Sequence, residues 1–309
     1  MAGRLAILCP GQGAQHGGMF DLARLDPGAA RLLDGWFGDR LLGAPLRAAV
    51  EGGDLFANRI AQPAIVAATL ATWTALAPLL PVPALVAGYS IGELAAHGVA
   101  GSLAPGAALG LAIERARLMD ACLDGAAAQA MVALSGLPAA GVDGLLERFG
   151  FHAAIITGDD ALVAGGPAAQ GGQLAAAAVA AGGRATLLPV AVAAHTPLLQ
   201  GAVAPFGALL AHQNWSDPAF AVLSGICAEP VFSADRARRD LARQIAEPIR
   251  WNECMDACVE AGVTVALELG PGAALARMLQ SRHPGIACRS VSEFRSLDGV
   301  QRWVGRQLD

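Results

Sequence analysis

Residues Ala87-Gly88-Tyr89-Ser90-Ile91-Gly92-Glu93 decide how this chain is read. They follow the apolar run Pro83-Ala84-Leu85-Val86-Ala87 and lead into Leu94-Ala95-Ala96. A strand therefore ends, the chain turns with a serine at the apex, and a helix begins. This is the Gly-x-Ser-x-Gly pattern of a nucleophile elbow. Gly88 and Gly92 leave no side chain where such a turn is strained and where strand and helix come close. Ser90 would then stand clear of the sheet edge, and the N–H of Ile91, at the helix N-terminus, would face a developing oxyanion. Taken alone, the same five residues also fit an ordinary strand–turn–helix joint.

Outward from the elbow the chain alternates strands and helices. On the N-terminal side, Leu5 to Leu8 reads as a strand running into the loop Pro10-Gly11-Gln12-Gly13-Ala14-Gln15, with helices at Ala29 to Trp36 and Ile60 to Leu76. The loop lacks the Gly-Lys-Ser/Thr of a phosphate loop and the third glycine of a dinucleotide fingerprint. Beyond the elbow, Ala104 to Cys122 reads as an amphipathic helix. The stretch from about Ala126 to Val192 then has the order βαββαβ: strands at Met131–Leu134, His152–Ile156, Ala161–Gly165 and Ala185–Val190, with helices at Val142–Phe149 and Ala168–Ala181. That order fits a small ferredoxin-like module inserted into a larger domain. The larger domain resumes with helices at Leu198–His212, Ala234–Ile245 and Trp251–Ala261. Its strands are Phe220–Leu223 and Val263–Leu269, the latter entering Gly270-Pro271-Gly272. The expected fold is α/β: a mostly parallel sheet covered on both faces, made of residues 1–125 and 193–309, carrying the module 126–192.

Composition narrows the function. Among 309 residues, 54% are hydrophobic and 15% charged, which favours a large core over disorder. A net charge of −5 without a cluster of basic residues argues against nucleic acid. Residues 63–90 carry no charge and are long enough to span a bilayer. Pro78, Pro81 and Pro83 interrupt them and the elbow ends them, so a buried helix followed by a buried strand is expected instead of a membrane span. The six cysteines show no metal-ligand spacing and read as buried free thiols of a cytoplasmic protein, with no metal site.

A serine nucleophile needs a base. Among six histidines, His195 follows an apolar run and precedes Pro197, which places it on a loop at a strand end. No acidic residue stands where an esterase would carry its third triad member, so a backbone carbonyl must fix the imidazole tautomer. On the helix after the elbow, Arg115 or Arg117 is a candidate to hold an anionic substrate group, because a guanidinium matches a carboxylate bidentately. Glu114 beside them equally suits a plain surface ion pair, and spacing does not choose.

Together these motifs resemble the malonyl-CoA:acyl carrier protein transacylases and related acyltransferase domains. The resemblance runs through Gly11-Gln12-Gly13-Ala14-Gln15, Gln62-Pro63, the elbow, Arg115, His195, Arg243-Gln244-Ile245 with Pro248 and Trp251, and Glu268-Leu269-Gly270-Pro271-Gly272. It implies an α/β-hydrolase-like core with an inserted ferredoxin-like subdomain. It also implies Ser90 as nucleophile, His195 as base, the N–H groups of Gln12 and Ile91 as oxyanion hole and Arg115 as clamp for the malonyl carboxylate. A main-chain carbonyl at Gln244 would orient His195. Malonyl-CoA is then the substrate, no cofactor is permanently bound, and the acceptor is the thiol of a carrier protein's phosphopantetheine or dephospho-CoA-type arm. Two features depart from the fatty-acid and polyketide members: Tyr89 where the former usually carry His, and Val192-Ala193-Ala194 before the histidine. With Ile155-Ile156-Thr157-Gly158-Asp159 and the segment 192–199, they look most like the epsilon subunit of bacterial malonate decarboxylase, whose partner is that enzyme's carrier subunit. Acyl transfer to the fatty-acid carrier is the alternative, and a serine esterase a more distant one.

Overall fold

A computed structural model describes residues 3–38, 43–52 and 55–309 of the chain. In chain order its strands are β1 (Leu5–Cys9), β2 (Leu85–Gly88), β3 (Gln129–Ser135), β4 (His152–Ile156), β5 (Ala161–Pro167), β6 (Arg184–Leu188), β7 (Ala221–Leu223), β8 (Pro230–Val231), β9 (Ile249–Arg250), β10 (Val265–Glu268) and β11 (Ala287–Ser290). The helices are α1 (Pro27–Gly38), α2 (Gly43–Gly52), α3 (Asn58–Leu76), α4 (Ile91–Val99), α5 (Pro105–Ala121), α6 (Ala139–Phe149), α7 (Ala168–Ala180), α8 (Gln200–Ala211), α9 (Ala234–Arg243), α10 (Trp251–Glu260), α11 (Ala274–Arg282) and α12 (Leu297–Leu308).

The larger sheet has the order β11-β10-β1-β2-β7-β8 and is parallel except for the β7–β8 pair. Its central strands β1 and β2 are apolar on both faces, as a doubly covered sheet requires. Leu5, Ile7 and Cys9 of β1 face a core shared with α3, α4, α5 and α8, while Ala6 and Leu8 face a second core shared with α10 and α11. The same alternation sends Val86 to the first core and Leu85 and Ala87 to the second. Because β1, β2 and β10 run parallel, their carboxyl ends lie along one edge, the usual place for a site in such a sheet. The Gly11 loop, the serine elbow and Gly270-Pro271-Gly272 all leave from that edge.

The smaller sheet has the order β6-β3-β5-β4-β9. Its first four strands are antiparallel and continuous in sequence, and with α6 and α7 they give the ferredoxin-like arrangement. A fifth strand, β9, comes from outside residues 126–192 and pairs with β4 in parallel, so the two parts of the chain share hydrogen bonds there.

Helix α3, extended to Leu79, is apolar and long enough to cross a membrane, yet 78% of its most apolar window is buried inside the protein. Its apolar surface is therefore spent on the core. Several elements lie outside the expected set: α2, α11, α12, β8, β9 and β11. The closing strand β6 stops at Leu188 because Pro189 follows, and α9 stops at Arg243 because the chain turns there toward His195. Of the six free cysteines, Cys9, Cys254, Cys258 and Cys288 are buried, whereas Cys122 and Cys227 are only partly so.

Candidate active site

The elbow is strained in the way its glycines suggest. Ser90 has φ 57° and ψ −119°, a left-handed conformation that side chains avoid. A Cβ on Gly88 would lie 2.2 Å from the Glu93 nitrogen, and one on Gly92 would lie 2.1 Å from the Cys9 carbonyl oxygen. Only glycine permits this approach of α4 to β1 and β2. Ile91 is the first residue of α4, so its N–H has no acceptor within the helix. Gln12, on the loop after β1, lines the same cleft as Ser90 and His195.

Ser90 Oγ lies 2.7 Å from His195 Nε2, and His195 Nδ1 lies 2.6 Å from the backbone oxygen of Gln244. A carbonyl only accepts, so Nδ1 carries the proton and the Nε2 lone pair takes the hydrogen bond from the serine hydroxyl. Burial, reinforced by the charge of Arg115, lowers the pKa of His195 to about 3, while its bond to Gln244 opposes the shift. The imidazole is thus neutral and able to accept a proton. His195 itself has φ 64°, and its N–H donates to the Ile245 carbonyl at 2.8 Å. Thr196 Oγ1 donates to the Ala193 oxygen at 2.7 Å, and Ala193 N–H to Gln129 Oε1 on β3 at 2.8 Å. His195 is therefore held between the turn after α9 and the smaller sheet.

The choice between the two arginines is made by burial. Arg117 lies at the surface and pairs with Glu114 at 2.9 Å. Arg115 is 2% exposed, its Nη1 donating to Gln62 Oε1 at 2.8 Å and its Nη2 to Gln244 Oε1 at 3.1 Å. Burial lowers its pKa to about 10, partly offset by the nearby Glu93 charge, so it stays a cation at neutral pH. The Gln244 carboxamide also donates from Nε2 to the Ser90 carbonyl at 3.2 Å and to Glu93 Oε2 at 2.6 Å. On the other side, Gln62 Nε2 and Gln12 Nε2 both donate to Asn58 Oδ1, at 2.7 and 3.1 Å. One hydrogen-bonded network thus runs from the Gln12 loop to the histidine.

Gln62, Asn58 and Glu93 are the polar members of this network to which the sequence had given no role. Signals for two of them exist in retrospect. Gln62 is a polar side chain directly before the uncharged run 63–90, and Glu93 stands three residues after the serine, on the same side of the first turn of α4. The cleft above Ser90 is walled by Met131, Ile155, Val163, Leu188 and Val190, all from the smaller sheet or its edge, a set that no local pattern marks. Tyr89 forms part of the floor and meets Trp251 edge to face with ring centroids 5.3 Å apart.

Residues 7–292 match the acyl transferase domain family. A malonyl CoA-acyl carrier protein transacylase of Mycobacterium tuberculosis is 32% identical over 95% of this chain and 98% of its own length. The solved structure of such a transacylase from Coxiella burnetii superposes with a TM-score of 0.91 at 26% identity, covering 100% of this chain and 99% of that one. A malonyl-transacylase solved in complex with its type II polyketide acyl-carrier protein gives 0.89 at 26% identity, covering 97% and 99%. Matched from its first strand to the turn after its last, the chain belongs to the acyl transferase domain family.

Proposed function

We propose that this chain moves a malonyl group from malonyl-CoA to the thiol of an acyl carrier protein. Ser90 is the nucleophile and His195 its base. As Ser90 Oγ attacks the thioester carbonyl, its proton passes to Nε2, and the N–H groups of Gln12 and Ile91 hold the oxyanion. The carbon–sulfur bond then breaks, CoA leaves with the proton from Nε2, and malonyl remains as a serine ester. The carrier thiol, deprotonated in turn by His195, attacks that ester, and the serine regains its proton. Arg115 holds the free malonyl carboxylate. No permanently bound cofactor takes part in these steps.

The observation that carries this reading is the buried guanidinium of Arg115, joined through the Gln244 carboxamide to the Ser90 backbone. A hydrolase of uncharged esters has no use for a buried cation there, and an acetyl group would leave it without an anionic partner. The relatives named as malonyl transacylases, one of them bound to a polyketide carrier, support a carrier of fatty-acid or polyketide synthesis as acceptor. A second reading takes the carrier subunit of malonate decarboxylase as acceptor, and it rests on Tyr89 and the residues before His195. We further take residues 126–192 as the subdomain and the rest as the catalytic domain, working in a reducing cytoplasm that suits six unpaired thiols.

Transfer of labelled malonyl from malonyl-CoA to purified fatty-acid, polyketide and decarboxylase carriers distinguishes these acceptors, with Ser90→Ala as control. A fatty-acid or polyketide carrier is expected to be loaded fastest. Strong preference for the decarboxylase carrier would reverse the choice, and a malonyl adduct on Ser90→Ala would remove the nucleophile.

A further inference from the structure

Glu93 is a buried carboxylate beside the reacting serine that the steps above do not use. It is 1% exposed, and a single oxygen, Oε2, accepts from both the Gly225 N–H at 3.0 Å and Gln244 Nε2 at 2.6 Å. The Gln244 carboxamide faces three partners: acceptors Glu93 Oε2 and the Ser90 carbonyl at its nitrogen, and donor Arg115 Nη2 at its oxygen. Turned over, the carboxamide would set NH2 against a guanidinium and C=O against a carboxylate, losing every bond it makes. The Ser90 carbonyl alone is a weak guide, at 3.2 Å, whereas the Glu93 contact is the shortest of the three.

We propose that Glu93 is a positioning residue for acyl selection: it fixes the Gln244 carboxamide so that Oε1 faces Arg115 and holds the guanidinium in place for the malonyl carboxylate. This rests on the malonyl reading of Arg115. Glu93 touches no reacting atom; it acts through Gln244. Because both donors converge on one oxygen, the requirement is for an acceptor at that point and not for a charge. A glutamine whose Oε1 takes the place of Oε2 meets both donors, while its NH2 takes the place of the other oxygen. Alanine meets neither.

The test compares Glu93→Ala, Glu93→Gln and Arg115→Ala by the rate at which malonyl-CoA and acetyl-CoA acylate Ser90, followed by intact mass. Arg115→Ala sets the scale for loss of the clamp. A displacement of a positioned group by about an ångström costs up to a hundredfold, so Glu93→Ala is expected to lose roughly ten- to a hundredfold of malonyl loading. Acetyl loading should change much less, and Glu93→Gln should keep the malonyl preference to within about threefold. Equal loss with both donors, which a simple folding defect would give, overturns the proposal. Should Glu93→Ala fail to fold, Glu93→Gln decides alone: a loss of preference matching that of Arg115→Ala overturns it. Crystal structures of the free variants need no substrate, so they separate this proposal from the malonyl reading. Gln244 should move off Arg115 in Glu93→Ala and stay in Glu93→Gln; an unmoved Gln244 in Glu93→Ala contradicts the assignment even if the substrate is another acyl-CoA.

Discussion

His195 is kept neutral chiefly by its burial. A carbonyl oxygen, not a carboxylate, faces Nδ1, so no negative charge stabilises the imidazolium, and Arg115 disfavours it further. Burial is the larger cause, the bond to Gln244 opposes it, and the pKa falls from 6.5 to about 3, so the imidazole is neutral at all pH values above that. The kcat/KM for malonyl-CoA, which reports the free enzyme, should be flat from about pH 8 down to about pH 5, with its acid limb below that. A limb centred near the ordinary histidine value would show that His195 is not the base or is not buried as described. At this scale the sequence was generous. Ser90, His195 and the need for a carbonyl partner were all legible, because a strained turn admits few residue types and a missing acid leaves only backbone to do its work. The choice of Arg115 over Arg117 was not legible from spacing. They are two residues apart on one helix, and only the packing of α5 against α3 buries the first and leaves the second beside Glu114.

The elbow depends on two close approaches of elements. Gly92→Ala would place a methyl 2.1 Å from the Cys9 oxygen, and since that oxygen is backbone, β1 or α4 must shift. Its cost is expected at about 3 kcal/mol, with malonyl loading lost along with it. A matched control is Gly110→Ala at an exposed position of α5, where nothing lies within 4 Å and helix propensity favours alanine by about 1 kcal/mol. Urea denaturation of the two variants should give midpoints displaced in opposite directions; a neutral Gly92→Ala would mean that the elbow is not as tight as drawn. Most of the longer elements were read from their periodicity with boundaries off by a few residues, but the helices α2, α11 and α12 were not. The two-residue strands β8 and β9 were not, and neither was β11, with Arg289 and Ser290 among its four residues. Such short segments carry no pattern of their own; they are strands because a neighbour offers hydrogen bonds.

Across the whole molecule, the buried charge of Glu93 links stability to pH. Burial raises its pKa from 4.5 to about 7 against the opposing bonds from Gly225 and Gln244, with Asp240 adding to the rise and Arg115 reducing it. The folded protein therefore holds this proton more tightly than the unfolded chain. Its stabilising contribution is complete below about pH 4.5 and is lost as pH rises through about 7. Relative to Glu93→Gln, which does not titrate, the native chain should weaken by on the order of 3 kcal/mol between pH 4.5 and pH 8. Denaturant midpoints at those two pH values test this, and parallel behaviour of the two proteins would place the ionisation elsewhere. Positioning of Gln244 is unaffected by this titration, since the acid form keeps one oxygen free to accept.

The sequence by itself determined the α/β class, the order of the inserted βαββαβ module, the strained serine and its histidine. Each of these is written in local residue chemistry: glycines where a backbone must pass, apolar runs of strand or helix period, and a loop histidine before a proline. Only the tertiary structure decided which arginine is buried and that Gln244 serves at once as carbonyl partner and carboxamide bridge. The tertiary structure alone also showed that Glu93 faces that bridge, and that the smaller sheet walls the cleft. Those contacts join residues up to 154 positions apart, such as Gln244 and Ser90. They arise where two sheets and four helices converge, and no spacing along the chain records that convergence.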